Sequence, residues 1–169
     1  MKKIITVITL LVVSATYCSA QKKKASMAGE YKYESECMGV EGDGSQTLKS
    51  WGTGNSKNDA VEQAKKNAVH AMIFQGFNGN SGSGCPSQKP LTSNPALEDE
   101  KKEFFDAFFA DGGKYMKFVS VSGDGQVAAE DRMKVGKEYK VGVVVSVMYD
   151  LLRKDLEAAG IIKGLSSGF

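Results

Sequence analysis

The sequence predicts an α+β fold: an antiparallel sheet of about five strands with helices mainly on one face, in the order ββααβββα. Three observations point there. Polar and apolar residues alternate with period two around Gly-Asp-Gly turns at residues 42–44 and 123–125, the pattern of antiparallel strands with one wet face. An alanine repeat of helical spacing separates the first strands from the later ones. Near the C-terminus, five valines between residues 141 and 147 give a β-branched run suited to a central strand.

In chain order, Tyr31, Tyr33, Ser35 and Cys37 alternate with Lys32, Glu34 and Glu36 as a first strand reaching Val40. The Asp43-Gly44 pair supplies the positive φ of a tight hairpin, so residues 47–53 return as a second strand carrying Trp51, the only tryptophan. Asn55 or Ser56 caps the next helix through its side-chain oxygen. There Ala60, Ala64, Ala68, Ala71 and Met72 make a face of small residues that allows close approach to a sheet, with Lys57, Glu62, Lys65, Lys66 and His70 mainly on the wet side. Gly76 or Gly79 ends this helix.

Residues 78–94 are rich in Gly, Ser, Asn and Pro, too polar to offset their ordering entropy, and are expected to form a mobile loop. Pro95 and the acidic Glu98, Asp99 and Glu100 begin a second helix over residues 95–111, on which Phe104, Phe105, Phe108 and Phe109 bring enough aromatic area to dominate a core. Gly112 and Gly113 stop it. Alternation over residues 115–122 predicts a third strand and residues 131–135 a fourth. Gly136-Lys137 then reverses the chain into a fifth strand, residues 138–149, buried on both faces. Residues 150–159 close the domain as a third helix, stopped by Gly160.

The chain has 169 residues, of which 41% are hydrophobic and 25% charged, a composition that suits one globular domain and argues against global disorder. Its formal charge of +2 comes from 22 Lys plus Arg against 20 Asp plus Glu. Lys2 and Lys3 belong to the start of the chain, and without them the balance is neutral. Neutrality removes the long-range attraction that phosphate backbones exploit, so no nucleic-acid partner is expected.

Residues 1–20 have the layout of a secretory signal peptide, with a basic start at Lys2-Lys3, an apolar stretch over residues 4–14 and an Ala20-Gln21 junction. Residues 21–169 then form a single exported domain, periplasmic or at the cell surface. The apolar stretch is about half the ~20 residues of a membrane-spanning helix, and no later segment approaches that length, so no transmembrane span is expected. Cys18 offers a rival reading, a lipidated N-terminus. Tyr17 before it is too bulky for a processing site selective for glycine or alanine, which favours cleavage after Ala20. Lys22-Lys23-Lys24 becomes a solvated tail capable of weak membrane contact.

Export leaves Cys37 and Cys85 in a compartment where disulfides form. A bridge between them would close a loop of about 49 residues and stabilise the fold by roughly 3 to 4 kcal/mol. Two separate thiols are the other reading.

No diagnosable chemistry emerges from the remaining residues. Asp43 and Asp124 sit in glycine-rich turns without the regularly spaced acids of a calcium loop, and two distant cysteines with one histidine lack zinc-ligand spacing. A nucleophilic site would need Cys85 or a serine activated by His70, the only imidazole, and His70 reads as a solvated residue. Gly52-Thr53-Gly54 before a helix lacks the lysine and length of a phosphate loop. No catalytic residue, cofactor or metal is expected.

The Trp51-Gly52-Thr53-Gly54 segment, followed by Ala60, Ala64, Ala68 and Ala71 and by a late strand over residues 139–147, resembles an envelope family containing small outer-membrane lipoproteins and the N-terminal domain of a flagellar T-ring protein. The likeness covers about two-thirds of the mature chain, and the Ala20-Gln21 junction is similar to that of exported proteins of Bacteroidetes-type bacteria. The resemblance implies an α+β assembly or interaction module with no catalytic residues to carry over. Tyr17-Cys18 departs from the lipoprotein members, which place small residues before the lipidated cysteine.

The expected role is a non-enzymatic envelope interaction or assembly module, its partner another envelope protein or a second copy. Candidate contact residues are Trp51, Phe104, Phe105, Phe108 and Phe109. The alternative is a small-molecule or glycan-binding protein that uses Trp51, Tyr31 and Tyr33 as stacking surfaces. An unrecognised hydrolase built on His70 or Cys85 is the third reading.

Overall fold

The computed structural model describes residues 34–79, 82, 84–123 and 125–164. The expected leader over residues 1–20, with Cys18, and Tyr31, Tyr33 and Asp124 lie outside the described residues. The chain forms β1 (Ser35–Val40), β2 (Gln46–Gly54), α1 (Lys57–His70), α2 (Leu97–Glu100), α3 (Lys102–Phe108), β3 (Val119–Val121), β4 (Arg132–Val135), β5 (Glu138–Val147) and α4 (Tyr149–Ala158). This is the antiparallel α+β architecture that the alternation and the alanine repeat predict.

The strand order is β1-β2-β5-β3, with β4 also on β5. β2 occupies one whole edge of β5, from Gln46↔Val147 to Gly54↔Tyr139. The other edge of β5 is shared, β3 pairing with residues 145–147 and β4 with residues 138–141. Period-two alternation assigns the faces. Leu48, Ser50 and Gly52 stand opposite Val145, Val143 and Val141, and all six are buried beneath α1, which packs across β2 and β5.

Glycine makes that packing possible. A Cβ on Gly52 would lie 2.2 Å from the Ala60 carbonyl oxygen and 2.3 Å from the Ala64 nitrogen, and one on Gly54 2.6 Å from the Ala60 nitrogen. Bare strand backbone thus meets an alanine-lined helix, closer than any larger side chain allows. Ser56 starts α1 with a capping box, its hydroxyl accepting from the Asp59 N–H at 3.1 Å and the Asp59 carboxylate accepting from the Ser56 N–H at 3.1 Å. Ala60, Ala64 and Ala68 are fully buried. Beyond His70 the helix widens into a π turn, Ala71–Gln75, and ends at Gly76.

Four local expectations are corrected. Lys66 and His70, assigned to the wet side of α1, are buried at 2% and 5% exposure, because Glu98 of α2, the Phe109 ring and Tyr115 of the turn before β3 pack on that flank. The helix expected over residues 95–111 is two short helices, since the Lys101 N–H turns back to the Leu97 and Asp99 carbonyls and closes α2. Residues 114–117 form a 3-10 turn that drives Tyr115 into the core, so β3 begins only at Val119. Finally, β5 is not buried on both faces: Val141, Val143, Val145 and Val147 are buried, while Val144 and Ser146 remain partly exposed.

Within the segment over residues 78–94, several described residues bond to the rest of the fold. Phe77 and Gln88 exchange backbone hydrogen bonds of 2.9 and 3.0 Å, and the Leu91 and Thr92 N–H groups donate to the Met72 and Ile73 carbonyls. Cys85 is bonded to Cys37 of β1, with Cα atoms 6.1 Å apart and both residues buried. The bridge left open by the sequence is therefore formed. No helix among the described residues is long and apolar enough to cross a membrane.

Candidate functional site

With α1 on one side of the sheet, the opposite side is carpeted by side chains that are all partly exposed: Thr47, Lys49, Trp51 and Thr53 from β2, and Lys140, Val144 and Ser146 from β5. Trp51 stands opposite Gly142. A Cβ on Gly142 would lie 2.9 to 3.0 Å from the indole ring atoms, so the ring rests directly on the β5 backbone. The Lys140 and Lys49 ammoniums sit 5.2 and 5.5 Å from its centroid, within cation–π range. Lys49 also reaches across β5 to Asp131, Nζ to Oδ1 2.6 Å.

The platform is held from behind. The Trp51 carbonyl accepts from Asn67 Nδ2 at 2.8 Å, and Asn67 Oδ1 accepts from Gln63 Nε2 at 2.8 Å. Both amides are buried on α1, where a lost partner would cost the desolvation of the other. The result is a rigid aromatic plate backed by glycine and flanked by two cations, with Thr47, Thr53 and Ser146 hydroxyls around it. It offers flat stacking area, charge and hydrogen-bonding groups.

The four phenylalanines do not share this exposure. Phe105, Phe108 and Phe109 are buried in the core and Phe104 is packed against it. Their rings pack edge-to-face, Phe104 on Phe105 at 5.1 Å and Phe108 on Phe109 at 4.9 Å, while Phe108 stacks on Phe118 at 6.0 Å. As contact residues for a partner, the three buried rings are already occupied.

Nor does the structure assemble a His–Cys centre. Cys85 sulfur is engaged with Cys37, and His70 Nε2 lies 3.0 Å from Glu98 Oε2 with its ring 4.6 Å from that of Phe74. Nearby, Lys66 Nζ contacts Asp111 Oδ1 at 2.8 Å and the Tyr115 ring at 5.7 Å, and the Tyr115 hydroxyl donates to Glu62 Oε2 at 3.0 Å. Burial, reinforced by the Glu62 carboxylate, holds the Tyr115 hydroxyl well above the ordinary phenol range. Glu62, Lys66 and His70 are spaced four residues apart, so these contacts form one polar row, buried at Lys66 and His70, that clamps α1 to α2 and the 3-10 turn.

Among the described residues no group of three or more His, Cys, Asp or Glu is placed to hold a metal ion. A wide concavity of about 420 Å³ lies between residues 75–78 and 87–90, lined by polar backbone and by Gln75, Gln88 and Lys89. Sequence reasoning singled out Trp51 and missed Lys49, Lys140 and Asn67. Lys49 was legible, since residues two apart on a strand share a face, whereas the cross-strand Lys140 and the helix-borne Asn67 require the register. Comparison of the chain with family models, curated proteins and solved structures returns no match.

Proposed function

We propose that the chain is a non-enzymatic interaction or assembly module of the cell envelope, exported by the leader over residues 1–20 and binding an envelope protein or a second copy of itself. The observation that carries this reading is the open sheet face, on which Trp51 is fixed against Gly142 while the packing helices lie on the other side. A rigid tryptophan ringed by polar groups is the usual composition of an interface anchor. The Cys37–Cys85 bridge supports an oxidising location.

The glycan-binding alternative is less well served. One side of the indole lies on the strand backbone and two ammoniums sit over the ring, which restricts stacking by a sugar. Tryptophan fluorescence that shifts on titration with a glycan would favour this alternative.

The test is lysine-directed cross-linking of the protein in envelope fractions. A discrete adduct is expected, at doubled mass if the partner is a second copy. Trp51→Ala should weaken its formation, since truncating an anchoring tryptophan costs about 2 kcal/mol or more. A monomer that yields no adduct, or a Trp51→Ala variant that yields the wild-type adduct undiminished, would contradict the proposal.

A further inference from the structure

We propose that the β4–β5 hairpin, which shares Lys140 with the Trp51 face, is a docking surface for a lipid bilayer carrying anionic headgroups. Residues 132–140 contain Arg132, Lys134, Lys137 and Lys140 against a single carboxylate, Glu138. Among the described residues none of the four cations is ion-paired with a carboxylate: the adjacent Asp131 is taken by Lys49. Lys134 lies 5.8 Å from the Tyr139 ring centroid instead, and Lys140 lies over Trp51. In a chain whose mature charge balances, this is a local excess of positive charge, four cations to one carboxylate within residues 132–140.

The same hairpin exposes its apolar side chains. Every residue of β4 is exposed, Val135 at 59% and Met133 at 41%. Met133 and Val135 alternate with Arg132 and Lys134, so apolar groups occupy one side of the strand and cations the other, next to the Gly136-Lys137 turn. At a bilayer surface apolar side chains enter the acyl boundary while ammonium and guanidinium groups stay among the headgroups. Charge complementarity selects an anionic surface.

Other occupants fit less well. A second copy adding its own β4 along this edge would bring the Arg132 and Lys134 of both chains together. A globular protein partner would need about 800 Å² per side, and the exposed tip is only two strands wide with β5 as the principal neighbour of β4.

The measurement is flotation of the processed protein with phosphatidylcholine vesicles and with mixed phosphatidylcholine–phosphatidylglycerol vesicles. Binding is expected only to the mixed vesicles, falling as salt is raised. Lys134→Glu combined with Lys137→Glu should lower vesicle affinity about 25-fold or more, at about fivefold for each lysine lost, and Val135→Asp should lower it further. These side chains are exposed, so an unchanged near-ultraviolet circular dichroism spectrum confirms that the variants fold. A companion variant with Lys22, Lys23 and Lys24 replaced by Gln measures the tail, and hairpin-dependent binding should survive in it. The proposal is overturned if wild type binds neither vesicle or both equally, or if only the tail variant loses binding. It is also overturned if the hairpin variants float normally yet lose a cross-linked adduct, which would identify an acidic protein as the occupant.

Discussion

Gly52 and Gly142 are two glycines on adjacent strands doing opposite jobs: one admits α1 to the inner face, the other seats Trp51 on the outer face. Gly52→Ala should destabilise the fold by about 3 kcal/mol, because the new methyl meets helix backbone that cannot step aside, and urea denaturation would measure it. Gly142→Ala should leave the helix face intact and instead lift the indole, visible as a shifted tryptophan emission. Trp51 was recognisable from its place in the alternating strand, but nothing in its neighbourhood in sequence marks Gly142 as its seat. Lys66 and His70 were misplaced for a related reason: a lysine and a histidine on a helix read as solvated until Asp111, Tyr115 and Glu98, all distant in sequence, are seen to cover them. Tyr115 carries the pH dependence of this row. Its ionisation is raised in the folded protein by burial and then by Glu62, so its contribution is intact below the ordinary phenol value of about 10 and declines as pH rises above it, where the unfolded chain ionises first. Urea midpoints should therefore fall more steeply between neutral and alkaline pH for wild type than for Tyr115→Phe, and parallel curves would exclude the effect.

At the level of elements, α1 combines a capping box, an alanine face and a polar row, and each has its own signature. Ser56→Ala should cost about 1 kcal/mol, the usual value of an N-cap, measured by thermal or urea unfolding. Its start was legible because capping chemistry is local. The ends of α2, α3 and β3 were not, because Phe105 and Tyr115 are positioned by the core they share and not by their immediate neighbours. In the segment over residues 78–94, the ties at Cys85, Gln88, Leu91 and Thr92 are one covalent bond and several backbone hydrogen bonds, which composition does not register. Replacing Cys37 and Cys85 by serine should cost about 4 kcal/mol through the loop-closure entropy of the unfolded chain. Equal unfolding midpoints in oxidised and reduced protein would show that the bridge contributes nothing.

For the whole molecule, the antiparallel sheet and its one-sided helical cover followed from periodicities of two and 3.6 residues, and the β1–β2 and β4–β5 pairings from hairpin turns at short range, whereas the central β2–β5 pairing joins distant segments. What the linear pattern hid is the sharing of one β5 edge by β3 and β4, which follows from long-range register. The sheet is covered by α1 on one side and open on the other, and the open side is the central claim. Site-directed photo-cross-linking tests it most directly, with the probe at Thr53 beside Trp51 in one variant and at the exposed Lys154 of α4 in another. In envelope fractions the Thr53 probe should capture a discrete partner and the Lys154 probe should not. Capture at Lys154 alone, or at neither position, would contradict the assignment of the open face as the binding surface.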